Sequence, residues 1–308
     1  MKIAFLFSGQ GAQYPGMMKE LFDTERAAKE VFDKAYSVLG RSISDVCFNG
    51  TQEELNFTHN TQPCVLAADL AAGMVLKAHG IEPEAVAGFS LGEYAALTLA
   101  GAFNAEEAFE MVQIRADAMQ DAVAPGEGAM AALNGKKSIQ AAEICGLVQS
   151  GYVIPSNYNS PVQTVISGES SAVDEAVRLA EGRGIICMRL AVSAPFHCEL
   201  MKPAAEKLAE LFKNKTFEDP AIPVYMNVDG KANEDGSRLA ELLVRQAISP
   251  VQWVKTLQNM QEAGIDTFIE CGPGRTLSGL AKKTLTGVNI YRVENLETLN
   301  STLDAVNK

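Results

Sequence analysis

The strongest constraint on the fold is a short apolar run, Ala85–Phe89, which breaks at Ser90-Leu91-Gly92 and passes into a helical pattern reaching about Leu99. Strand, sharp turn and helix in immediate succession form the unit of a mostly parallel α/β sheet. Across the turn, Gly88-Phe89-Ser90-Leu91-Gly92 reads G-x-S-x-G. That spacing suits a nucleophile. The bend lifts the serine hydroxyl above the sheet, and the flanking glycines keep Cβ atoms out of a crowded corner. The helix N-terminus behind it offers unpaired N–H groups to a developing oxyanion. The plainer alternative is a serine that only caps the helix.

The pattern recurs along the chain. A strand over Lys2–Phe7 leads into a Gly-rich loop, Ser8–Gly16, and polar helical segments to about Leu55. An Ala-rich helix is predicted over Pro63–Ala78, with proline in its first turn and His79-Gly80 at its end. From about Gly128 the texture changes to strand, helix, two strands, helix and a last strand over 184–190. That β-α-β-β-α-β order is the ferredoxin-like arrangement. A helix from about His197 then resumes the first pattern, with strands near 223–227, 266–270 and 289–293 and a tight turn at Gly272-Pro273-Gly274. The predicted class is α/β. A large α/β-hydrolase-like domain with a mostly parallel sheet (1–123 and 196–308) carries an inserted small ferredoxin-like α+β subdomain (124–195).

Composition excludes several function classes. At 308 residues and 47% hydrophobic, the chain is long enough to bury a core without metal or disulfide staples. Its six cysteines show no C-x-x-C spacing, which predicts reduced thiols in a cytoplasmic protein with no metal site. The N-terminal apolar run is too short for a signal segment, and no stretch is long enough to span a membrane. A net charge of −12 argues against nucleic acid, whose phosphates it would repel.

A nucleophilic serine needs a base, and the chain has three histidines. His79 sits at a helix end, where a histidine beside the last carbonyls is ordinary. His59 falls in a polar stretch before a helix and is expected in a surface loop. His197, in Ala194-Pro195-Phe196-His197-Cys198, lies where the inserted segment hands the chain back to the large domain. Sites favour such junctions, so His197 is the candidate base. Spacing alone selects no carboxylate as a third triad member.

Segments spread over nearly the whole chain resemble the malonyl-CoA:acyl carrier protein transacylases. They include Phe7–Gln13, Thr61-Gln62-Pro63, Gly88–Tyr94, Gln113-Ile114-Arg115, Asn157–Pro161, Ala194–Met201, Asn227-Val228, Pro250–Trp253 and Glu270–Gly274. The resemblance implies that Ser90 attacks a malonyl thioester with His197 as base, and that the malonyl-serine then passes to the phosphopantetheine thiol of a carrier protein. It implies an oxyanion hole from the Gln10 and Leu91 backbone N–H groups, and a His197 oriented by a backbone carbonyl at Gln246. Gln10 and Arg115 would bind substrate, Arg115 by gripping the malonyl carboxylate with its planar fork. Read anonymously, Arg115 would be an exposed helix residue beside Glu110 or Asp117. Many relatives carry histidine just before the nucleophile, whereas this chain has Phe89. Phe196 is similar to the bulky residue of malonyl-selective domains.

The implied partners are acyl carrier protein and malonyl-CoA, with the coenzyme A thioester as substrate, no tightly bound cofactor, and the chain acting as a monomer. Carrier proteins of this kind are acidic, so docking on an acidic body calls for a local basic patch. Lys136-Lys137 and Arg275 with Lys282-Lys283 are the candidates. Two rivals stand beside the transferase: a thioesterase or esterase sharing the serine elbow, and a non-catalytic carrier-binding module.

Overall fold

The computed structural model describes residues 1–192 and 194–307. The returning edge of the expected insert passes Ser193 and the final segment ends at Lys308, both outside the described residues. The strands are β1 (Ile3–Phe7), β2 (Ala85–Gly88), β3 (Gly128–Asn134), β4 (Val153–Ser160), β5 (Gln163–Glu169), β6 (Ile186–Arg189), β7 (Val224–Tyr225), β8 (Ala232–Asn233), β9 (Thr267–Cys271) and β10 (Asn289–Val293). Six form one sheet in the order β10-β9-β1-β2-β7-β8, parallel except for the β7/β8 pair. The other four form an antiparallel sheet in the order β4-β5-β3-β6, joined by helices as β-α-β-β-α-β.

β1 explains the layering. All five of its residues are buried, and they alternate between two cores. Ile3, Phe5 and Phe7 face the core built on the Thr58–Ala78 helix; Ala4 and Leu6 face Trp253, Leu257 and Leu280. A strand apolar on both sides must be covered on both, which is why helices flank this sheet. The Thr58–Ala78 helix has 16 of 21 residues buried, as a helix apolar all round must. No helix among the described residues is long and apolar enough to cross a membrane. The smaller sheet is two-sided too. Ala131 and Leu133 of β3 meet its own helices, while Met130 and Ala132 pack with Met119 and Phe196 of the larger layer.

Two local expectations are corrected. The long helix starts at Thr58 and encloses Pro63, so His59 lies in its first turn and not in a loop. A proline inside a helix strips the hydrogen bond from the carbonyl four residues back. Here that carbonyl is His59 O, and the Arg41 guanidinium satisfies it at 3.0 Å. The second concerns His197. It precedes the helix instead of starting it, with a 3-10 turn over Glu199–Met201 before Lys202–Phe212.

The elbow glycines are sterically required. A Cβ on Gly92 would lie 2.3 Å from the Ser8 carbonyl oxygen, and one on Gly88 would lie 1.9 Å from the Gly92 carbonyl carbon. These contacts are with backbone and cannot yield cheaply. Gly92→Ala is expected to lose about 3 kcal/mol or more of stability, read as a lower unfolding midpoint. A midpoint within error of wild type would show that the elbow can open.

Candidate active site

The end of β2 carries the nucleophile into a strained turn. Ser90 has φ 54, a left-handed conformation that a non-glycine residue holds only when its surroundings impose it. Three hydrogen bonds do so. The Ser90 N–H donates to Asn227 Oδ1 at 2.7 Å, Asn227 Nδ2 donates to Gly88 O at 2.6 Å, and Gln246 Nε2 donates to Ser90 O at 2.9 Å. Buried Glu93 ties these anchors together, accepting from the Asn227 N–H at 2.6 Å and from Gln246 Nε2 at 2.9 Å.

His197 comes from the far side of the cleft, also with positive φ (62). Its Nε2 lies 2.8 Å from Ser90 Oγ, and its Nδ1 lies 2.8 Å from the Gln246 carbonyl oxygen. A carbonyl can only accept, so it holds the proton on Nδ1 and leaves Nε2 to receive one from the serine. Burial pushes the imidazole down to about 4, the Arg115 charge acts in the same direction, and the Gln246 carbonyl opposes both. His197 is therefore neutral at pH 7, as a general base must be. Acyl loading is expected to stay flat between about pH 5 and 7, with an acid limb near 4 instead of 6.5. A kcat/KM profile with a midpoint near 6.5 would contradict this. The linkage follows the same sign: the unfolded imidazole takes a proton near 6.5 and the folded one near 4, so this stability is lost as pH falls across that window.

Arg115, in the Ala105–Asp121 helix, is 1% exposed. Its Nη1 donates to Gln62 Oε1 at 2.7 Å, and its Nη2 reaches Gln246 Oε1 and Ser90 Oγ, each at 3.0 Å. The Tyr94 ring lies 5.5 Å from the guanidinium carbon. Nε has no partner among the described residues, and no carboxylate there forms an ion pair with the guanidinium. The two carboxylates expected beside an ordinary surface arginine are engaged elsewhere: Glu110 pairs with Lys215, and Asp117 with His59. Burial pushes Glu93 up to about 8, against the Asn227 and Gln246 hydrogen bonds and the Arg115 charge, and it forms no ion pair with the guanidinium. A buried cation with no carboxylate in ion-pair contact is costly, and this one faces a cleft of about 420 Å³.

The same cleft is lined by Gln10, Ser90, Arg115, Phe196 and His197 from the loops and helices of the larger layer, and by Met130, Asn157 and Val165 from the small sheet. The Gln10 side-chain amide donates to Thr58 Oγ1 at 3.3 Å. Neither the Gln10 nor the Leu91 backbone N–H has an acceptor among the described residues, whereas Asn227 occupies the Ser90 N–H. Backbone N–H groups left free near a nucleophile are the kind of donor that can steady a tetrahedral oxyanion. Phe89 is half-buried in the same lining, edge-on to Trp253 at 5.3 Å.

Of the candidates, Gln10, Ser90, Arg115 and His197 line one cleft, Gln246 is bonded to Ser90, Arg115 and His197 behind it, and Leu91 is buried next to Ser90. His59 and His79 lie outside the cleft, paired with Asp117 and Glu25. The supporting amides were missed. Gln62 and Asn227 stand inside the resembling segments with nothing in the sequence to mark their role, and Glu93 and Tyr94 read there only as part of the elbow. Two buried glutamines and an asparagine that bond across 53 to 156 positions leave no periodicity to read.

The architecture and its serine–histidine cleft place the chain among acyl-transfer enzymes, and residues 4–301 match the family described as the acyl transferase domain. The malonyl CoA-acyl carrier protein transacylase of Bacillus subtilis (strain 168) is 41% identical over 301 residues, 97% of this chain and 95% of the relative. The crystal structure of malonyl CoA-acyl carrier protein transacylase from Clostridium perfringens is 40% identical with a TM-score of 0.96, covering 100% of this chain and 98% of that one. A malonyl-transacylase solved with its type II PKS acyl-carrier protein is 38% identical with a TM-score of 0.96, covering 99% and 100%. The chain belongs to the malonyl-CoA:acyl carrier protein transacylase family.

Proposed function

We propose that this enzyme transfers malonyl from malonyl-CoA to the phosphopantetheine thiol of acyl carrier protein, using Ser90, His197 and Arg115. The buried guanidinium with no carboxylate partner, 3.0 Å from the nucleophile, carries the reading. His197 takes the Ser90 proton through Nε2 while Oγ attacks the thioester carbon. The developing oxyanion is received by the Gln10 and Leu91 N–H groups, and collapse breaks the C–S bond. The departing thiolate of coenzyme A takes the proton from His197. In the second half-reaction His197 removes the proton of the carrier thiol, which attacks the malonyl-serine ester and releases Ser90 Oγ, reprotonated by the same imidazole. Arg115 holds the free malonyl carboxylate throughout by two charge-assisted bonds. The coenzyme A thioester is substrate, and no tightly bound cofactor takes part.

In this reading the parallel sheet is an α/β-hydrolase-like domain, 1–123 with 196–308, and 124–195 is a ferredoxin-like subdomain closing over the cleft. The six free thiols fit a cytoplasmic enzyme, and the chain is read as a monomer. A thioesterase would share the acyl-serine but let water resolve it, and a plain ester has no use for Arg115. The test is malonyl-CoA turnover with and without carrier protein. Malonylated carrier, with little thiol release in its absence, is expected. Equal thiol release without carrier would favour the hydrolase, and no turnover at all would favour a non-catalytic module.

A further inference from the structure

Of nine large apolar side chains exposed among the described residues, Ile139, Leu147, Ile186 and Met188 fall in the short span of the small sheet. Two of them mark one edge. β6 is a terminal strand, with Met188 opposite Ala132 and Ile186 opposite Asn134 on β3. Residues directly opposite share a face. Ala132, with Met130, faces the catalytic layer, so Ile186 (73% exposed) and Met188 (57%) stand on that face, beyond its covered part. Past the strand end the alternation continues through Leu190 and Val192, which are partly buried against the same cluster and line the Ser90 cleft. One apolar strip thus runs from open surface to the nucleophile.

Charge distinguishes this edge from the rest of the molecule. Residues 128–190 hold five basic and five acidic side chains, so the span is neutral in a chain of net charge −12. Lys136 and Lys137 are exposed just after β3, at the end of the sheet where Ile186 begins β6, with no ion pair among the described residues. We infer that this edge is the docking surface for the acidic carrier protein: Ile186 and Met188 take its apolar contacts, Lys136 and Lys137 face its carboxylates, and its prosthetic arm follows Leu190 and Val192 to Ser90. The inference rests on the carrier being the malonyl acceptor. The other basic candidate, Arg275 with Lys282, lines a separate cavity of about 470 Å³ with no exposed large apolar side chain, and Arg292 there is already engaged by Glu294.

The experiment compares wild type with Ile186→Asp/Met188→Asp, Lys136→Glu/Lys137→Glu and Arg275→Glu/Lys282→Glu, using holo-carrier and free pantetheine as acceptors. The first two variants should raise the KM for carrier about tenfold or more, while malonyl loading from malonyl-CoA and transfer to pantetheine stay at wild-type rates. Carrier KM unchanged in both, or raised only by the Arg275/Lys282 pair, overturns the surface. Wild-type protein that passes malonyl to neither acceptor removes the transferase reading, and the surface with it. A change in pantetheine transfer equal to that for carrier shows damage to the cleft and also overturns docking at this edge.

Discussion

Arg115→Ala is expected to lower kcat/KM for malonyl-CoA by about 10² to 10⁴, while acetyl transfer persists or rises. In the proposed reaction the malonyl carboxylate enters a cleft whose only fully buried cation among the described residues is this guanidinium. Removing it leaves the carboxylate desolvated and unpaired, a penalty of about 3–5 kcal/mol, and each 1.36 kcal/mol is about tenfold in rate. An acetyl group carries no such charge and loses nothing. In wild type it leaves the guanidinium short of an anion, which is why acetyl should be rejected. Arg115→Lys should recover little, because three bonds diverge from the planar fork to Gln62, Gln246 and Ser90, and an ammonium cannot reproduce them. The same Nη2 touches Ser90 and Gln246, so acetyl kinetics in the alanine variant also report whether the elbow has kept its shape. Steady-state rates with both donors decide it, and undiminished malonyl transfer would count against Arg115 as the carboxylate site.

The second large effect belongs to the serine–histidine pair. Ser90→Ala and His197→Ala should each reduce malonyl transfer by about 10⁴ or more, and the double variant should be little worse than either, because the two act as one unit. Gln246 is subtler. Its backbone carbonyl orients His197, so truncating its side chain leaves that bond in place. What is lost is the brace to Ser90 O and Glu93 and the acceptor for Arg115. Gln246→Ala should therefore weaken malonyl selectivity and the elbow together while the imidazole keeps its orientation.

The nucleophile was legible because the requirement is local: strand, bend and helix must follow within five residues, and only glycine fits at Gly88 and Gly92. The inserted β-α-β-β-α-β order was legible for the same reason, since each element carries its own pattern. His197 could be picked by elimination because only three histidines exist. What stayed hidden is the meeting of distant polar groups. Nothing near position 62, 227 or 246 announces that those amides gather around Ser90 and Arg115, and Glu93 reads as an ordinary first-turn helix acid until its burial is known. Helix edges failed where a tertiary contact substituted for a local rule: Pro63 sits inside its helix because Arg41 reaches the carbonyl it frees. The role of Arg115 came from resemblance alone. Its burial and lack of a carboxylate partner now give that role a physical basis.

The most direct measurement is the mass of the Ser90 peptide after brief exposure of the enzyme to malonyl-CoA or to acetyl-CoA, in wild type and in Arg115→Ala. The predicted result is a malonyl ester on Ser90 in wild type, strongly reduced in the variant, with the variant taking acetyl at the same hydroxyl. A wild-type Ser90 that stays unmodified, or a malonyl ester that forms equally well without the guanidinium, would contradict the claim that a buried cation beside the nucleophile selects the acyl group.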